Sequence, residues 1–328
     1  MATTTAASRR YADVLDTIIR TPAFGPLAAL IIAFVVFASI TDNFLEVGNL
    51  SLVLQQSLVV GVLAVGQTLI ILTAGIDLAC GAIAVFGTLI IARHVANGGD
   101  PLIALLLGAI VCTGLGAANG LLVTKLRLPP FIVTLGTLTV VTAVAQLYAG
   151  SRSYPVTDEL LGWLGEGFLV GDAFITYGTF FMLGLYAFVW YALSQTAWGR
   201  HVYAIGNNAE AARLTGIKVN RTLLSVYVAA GFIYFLAAWE ALGRIPNADP
   251  NAYQNANLES ITAVVIGGTS LFGGRGGVVG TLIGTLIVGV LRNGLTLAGI
   301  DNLYQNVATG ILVILAVTVD QISRRRQR

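Results

Sequence analysis

The chain has 328 residues, 56% of them hydrophobic and only 10% charged, with a formal net charge of +2 and a mean hydropathy of +0.83. Soluble domains carry about 25% charged residues, so the solvent for most of this chain is lipid and a soluble domain is excluded. The small net charge gives no basis for a nucleic-acid partner.

Residues 1–23 hold Arg9, Arg10 and Arg20 and read as a cytoplasmic N-terminal segment. A cleaved signal peptide, with Val36 and Ala38 as the small residues before a cut, fits less well than an uncleaved first span, because nothing soluble follows. A twin-arginine signal at Arg9–Arg10 is weaker still. A helix needs roughly 20 apolar residues to cross about 30 Å of hydrocarbon. On that measure the spans are 24–41, 51–73, 78–96, 101–123, 131–149, 173–195, 221–243, 258–272, 276–295 and 302–320. They form a transmembrane permease domain over 24–320, followed by a basic cytoplasmic tail over 321–328. The span at 258–272 is short and runs into "GGTSLFGGRGG", so entering and turning back remains open for it.

Charge fixes the orientation. With the N-terminus in the cytoplasm and ten crossings, 14 of the 18 Lys and Arg fall inside, while Asp42, Glu46, Asp100, Asp158, Glu159, Glu166, Asp172, Asp249 and Asp301 fall outside. Both termini are then cytoplasmic. Eight spans with a re-entrant pair would keep them there too. "NGLLVTKLRLPPFIVTLGTL" at 119–138 aligns on "NGLTLAGIDNLYQNVATGIL" at 293–312 with six identities, which pairs spans 4 and 5 with the oppositely directed 9 and 10. The fold class is therefore an all-α polytopic membrane protein of about ten helices in an inverted five-plus-five repeat, one short or re-entrant. Gly116–Gly120 and Gly280–Gly284 read as helix packing, not a dimer face. Cys80 and Cys112 lie in apolar segments and read as small packing residues. His94 and His201 form no metal motif.

Polar islands interrupt this pattern. In "TAGIDLACGA" (73–82), Asp77 sits between two apolar segments, where a lone carboxylate is normally paired, watered or protonated. It is a candidate gate or pathway residue, or a helix N-cap. Gln67, Asn119 and Glu240 are further pathway candidates; for Gln67 and Asn119, hydrogen bonds between helices are the slightly better explanation. "GNNAEAARLTGI" (206–217) lies in the loop 196–220. Asn207 can cap a short helix with Glu210 in the capping-box position, Gly216 can end it, and Glu210 and Arg213 are neighbours on one face. The small Ala209 and Ala212 would admit another surface. Two turns are marginal in water, so the stretch rests on something or is an ordinary solvated loop. "GGTSLFGGRGG" (267–277) lacks the Lys of a phosphate loop and reads as a bend. No nucleotide motif or catalytic constellation is visible, so an enzyme is poorly supported.

Three motifs carry a family likeness. "TAGIDLACGAIAVFG", "GRHVYAIGNNAEAARLTGI" and "VVIGGTSLFGGRGGVVGTLIG" resemble the signature, the cytoplasmic loop and the late Gly-rich segment of ribose/xylose/fructose-type sugar permeases of ATP-binding-cassette (ABC) importers. The resemblance covers roughly 45–320. One departure is Ala79–Cys80, where the family has Ser–Val, and it removes a hydroxyl beside Asp77. The resemblance implies a two-fold permease pair in the lipid of the bacterial inner membrane, a cytoplasmic ABC ATPase subunit that binds the ATP, and a periplasmic sugar-binding protein, with no cofactor on this chain. It also implies a coupling helix in which Asn207, Glu210, Ala211, Ala212, Arg213 and Gly216 meet the ATPase. The competing expectation is an ion-coupled secondary transporter using Asp77 or Glu240; a purely structural membrane anchor is a third.

Overall fold

The computed structural model describes residues 24–325, so the N-terminal segment with Arg9, Arg10 and Arg20 and the last three residues lie outside it. The helices are α1 (Phe24–Ile40), α2 (Val47–Leu72), α3 (Cys80–Ala96), α4 (Pro101–Lys125), α5 (Pro130–Ala149), α6 (Glu159–Gly162), α7 (Tyr177–Gln195), α8 (Ala197–Asn207), α9 (Ala209–Leu214), α10 (Val219–Arg244), α11 (Ala256–Ile266), α12 (Val278–Leu297) and α13 (Asn302–Arg325). Six of them, α2, α4, α5, α7, α10 and α12, are long and apolar enough to cross a membrane; α1, α3, α11 and the first part of α13 are shorter apolar helices. Each predicted span overlaps one of these helices.

Two features depart from the purely helical expectation. The strands β1 (Tyr154–Pro155) and β4 (Asn247–Ala248) pair antiparallel, as do β2 (Gly167–Val170) and β3 (Ala173–Thr176). The predicted span 173–195 therefore begins as a strand, and its helix starts at Tyr177. The second departure is α11. With 11 residues at about 1.5 Å each, it reaches roughly half-way through about 30 Å of hydrocarbon. It ends where Gly267 and Gly268 begin a chain of turns.

The bundle is built around α2. Every residue from Ser57 to Leu72 is buried, as expected of a helix apolar on all sides and surrounded by protein. Against it pack α10, α12, α11 and α7, and α10 also lies along α4. The glycine pairs act inside the chain: Gly116 and Gly120 face Tyr227 and Gly231 of α10, while Gly280 and Gly284 face Ala263 and Gly267 at the end of α11. Large apolar side chains on the periphery stay exposed, among them Leu106, Ile132, Leu147, Phe188 and Ile314. Lipid solvates such faces as water cannot.

Long-range hydrogen bonds define the two ends. At one end, Thr134 Oγ1 donates to the Ile76 carbonyl, Gly274 N to the Leu72 carbonyl and Ser270 Oγ to Asp320. Lys125, Arg127, Arg200, Arg213, Lys218, Arg221 and Arg275 belong to the connections at this end. At the other, Val156 N donates to the Pro246 carbonyl and Arg93 to the Tyr148 carbonyl. That end carries the acidic connections, with Asp100, Asp158, Glu166, Asp172 and Asp249.

Candidate coupling helix and its clamp

The opening residues of the polar loop form α8, not coil. Thr196 caps it, its hydroxyl accepting from Gly199 N at 3.2 Å. One face buries Gly199, Val202, Ile205 and Gly206, and Trp198 Nε1 donates to Ser225 Oγ of α10 at 2.8 Å. This helix carries the next one, α9, on a rigid base.

The cap of α9 corrects the sequence expectation. Asn207 is the last residue of α8; the capping side chain is Asn208, whose Oδ1 accepts from Ala211 N at 3.0 Å. Glu210 does not close a capping box. It pairs with Arg213 at 3.2 Å on an exposed face. The far end is as expected. Gly216 takes the left-handed conformation at φ 86°, Gly216 N donates to the Arg213 carbonyl and Ile217 N to the Ala212 carbonyl. These two bonds are a Schellman termination. Ala212 is a second correction. It is buried with Ile205 and Val219 in a small core beneath α9, so it seats the helix on its own chain and offers no surface to a partner. The outward face presents Ala209, Glu210, Ala211, Arg213 and Leu214. Leu214 is 88% exposed, an apolar tip on the basic end that the sequence analysis did not single out.

The root of α9 is clamped to both broken segments of the bundle. A Cβ on Gly206 would overlap the Leu72 carbonyl oxygen at the end of α2. That same carbonyl accepts from Gly274 N at 3.0 Å. Tyr203 of α8 donates to the Gly276 carbonyl at 2.9 Å. The last turn of α8 thus touches the α2–α3 break and the α11–α12 break together. The glycines of 267–277 are here for close backbone approach.

The four pathway candidates are all sealed in protein: Gln67 is 0% exposed and Asp77, Asn119 and Glu240 are each 1%. Gln67 and Asp77 form one knot. The Gln67 amide, turned so that its nitrogen faces the main chain of Asp77, donates to the Asp77 carbonyl at 3.0 Å and accepts from Asp77 N at 3.3 Å. The Asp77 carboxylate accepts from Ala79 N at 2.7 Å and from Tyr234 Oη at 3.1 Å. Ala79, not Asp77, is the N-cap position of α3. Asp77 therefore ties the break between α2 and α3 to α10 through a buried carboxylate. Tyr234 is the partner that sequence reasoning missed; a Tyr in an apolar helix 157 residues away gives no local signal. Asn119 accepts from Thr137 at 2.6 Å across α4 and α5, and its Nδ2 has no partner. Glu240 abuts Gly178 in the first turn of α7. Cys80 and Cys112 are buried free thiols.

Known proteins resemble this chain over most of its length. The sequence model of a family described as the permease component of the branched-chain amino acid transport system matches residues 49–317. The fructose import permease protein of Rhizobium meliloti is 44% identical over 311 residues, 93% of this chain and 86% of that one. The ribose import permease protein of Bacillus subtilis is 40% identical over 299 residues, 90% and 92% of the two chains. The galactose/methyl galactoside import permease protein of Escherichia coli is 34% identical over 319 residues, 91% and 93%. No solved structure matches.

Proposed function

The chain belongs to the branched-chain amino acid transport system permease family, and we propose that it is the membrane-spanning subunit of an ABC importer that moves a monosaccharide inward. Its likenesses along the chain to permeases named for fructose, ribose and galactose favour a sugar over an amino acid as cargo. The chain is not itself the enzyme: ATP is bound and hydrolysed by a separate cytoplasmic subunit. A periplasmic binding protein hands over the sugar, and a second permease copy completes the pathway between two protomers.

The observation that carries this reading is α9, a doubly capped helix of six residues standing off the basic end with its outward face unburied. Isolated helices of this length are unstable in water, and here both caps and a private core hold one in place. We take the basic end as cytoplasmic, with both termini there and ten membrane segments. A groove in the ATPase then receives α9 through Ala209, Glu210, Ala211, Arg213 and Leu214. Closure of the ATPases on ATP pushes α9, and the clamp at Gly206 passes the push to the α2–α3 and α11–α12 breaks at once. The inverted repeat fits the packing, since α10 lies along α4 as α2 lies along α12.

The test is uptake of labelled D-fructose, D-ribose and D-galactose by membrane vesicles holding the permease with its ATPase and binding protein. We expect uptake of at least one sugar that needs ATP and the binding protein and persists with an uncoupler. Uptake that ignores ATP and collapses with the uncoupler would instead assign an ion-coupled transporter.

A further inference from the structure

At the end opposite α9 a cavity of about 560 Å³ opens between the 245–255 loop, α11, α12 and α13. Its chemistry is unlike the rest of the chain. Gln56, Gln254, Asn302 and Asn306 bring four side-chain amides to its wall, and none of these amides hydrogen-bonds another described residue. Gln305 is buried, with its nitrogen donating to Thr296 and the Ile300 carbonyl; its Oε1 has no partner. Unpartnered buried acceptors are uncommon and call for an explanation.

The wall holds two cations, Arg244 and Arg292, and one anion, Glu259. Arg292 donates to the buried Glu259 at 2.5 Å, and Arg244 sits one helical turn beyond Glu240. The Arg292–Glu259 pair neutralises itself, which leaves Arg244 as the single unbalanced charge among the amides of the wall. Most of its polar groups are uncharged, donors and acceptors of both kinds. Tyr253 adds an aromatic ring at its edge. It is held at φ 53°, a conformation uncommon for a bulky residue. The volume lies in the range of small-molecule sites, about 300–1,000 Å³.

We propose that this cavity is a sugar subsite of the permease itself, a low-affinity station for a neutral polyhydroxylated ring on the outer side of each protomer. The inference rests on the transport reading above and adds a location to it. Sugar hydroxyls are both donors and acceptors, which matches amides, and the Tyr253 ring suits the C–H face of a sugar. Binding here is expected to be weak, because each amide must give up water to take a sugar hydroxyl.

The test uses the complete transporter in proteoliposomes with labelled D-fructose, D-ribose and D-galactose, comparing wild type with Gln254→Ala, Asn306→Ala and the double variant. All three changes are on exposed side chains with no internal bonds, so folding is expected to hold; copurification of the ATPase checks it. We expect the double variant to lower the maximal uptake rate at least fivefold, with the half-saturating concentration of loaded binding protein unchanged. In parallel, saturation-transfer NMR on the permease alone in nanodiscs should show a signal from the transported sugar that the double variant loses. Unchanged maximal rate and signal would overturn the subsite. So would a raised half-saturating concentration at an unchanged maximal rate, which would make these residues a docking surface for the binding protein. If the wild type moves none of the three sugars, the transport reading fails first, whatever the variants do.

Discussion

Asp77 is held by the fold at every polar atom. Its two carboxylate oxygens serve one donor each, Ala79 N and Tyr234 Oη, and its main chain is held by Gln67. Removing the side chain would leave a buried N–H and a buried phenol without partners, at about 1–3 kcal/mol for each orphaned group. Asp77→Ala should therefore lower the thermal midpoint of the detergent-solubilised protein clearly. Asp77→Asn keeps an acceptor for Ala79 N and can donate to the Tyr234 oxygen, so it should stay close to wild type in both stability and uptake. A direct role in moving cargo or ions predicts the reverse, a stable Asn variant that does not transport. The importance of Asp77 was legible in the sequence, because a lone carboxylate between apolar segments is costly. Its partner was not: Tyr234 looks like any other aromatic residue in a span, and only the packing of α10 on α2 brings it near.

At the scale of the element, α9 was legible in outline and wrong in detail. Its composition, its basic setting and Gly216 gave a short helix with a left-handed end, and that helix is present. The sequence points to Asn207 as the cap, but which of two adjacent Asn residues caps depends on where α8 ends. Ile205 and Gly206 must stay helical to reach the core and the Leu72 carbonyl, so α8 runs on through Asn207 and the cap falls to Asn208. The same core takes Ala212 inward, so smallness there reflects packing against Ile205 and Val219, not room for a partner. An N-cap Asn contributes about 1 kcal/mol. In the permease without its ATPase, Asn208→Ala should speed hydrogen exchange of the 209–214 amides about fivefold, whereas Asn207→Ala should leave it near the wild-type rate. Equal effects of the two would mean that α9 is held by the core alone and that its cap contributes nothing.

For the whole molecule, hydropathy located apolar helices among the described residues, because lipid obliges the chain to satisfy its backbone within each segment. What it could not give was depth. The eleven residues of α11 and the hairpin β2–β3 depend on contacts with α12, α2 and α7, which no periodicity records. Depth also separates ten crossings from eight with a re-entrant pair. The clamp argues for a deep end to α11, since the 267–277 loop reaches the base of α8. Cysteine labelling can read this directly, because Cys80 and Cys112 are fully buried and should resist a membrane-impermeant maleimide. With the permease expressed alone, Leu214→Cys and Phe272→Cys should label only in inside-out vesicles, and Leu169→Cys, on the exposed hairpin, only in right-side-out ones. Phe272→Cys labelled from the same side as Leu169→Cys would mean that the loop turns back toward the outer face. The clamp would then join opposite sides of the membrane, which a hydrogen bond between main chains cannot do.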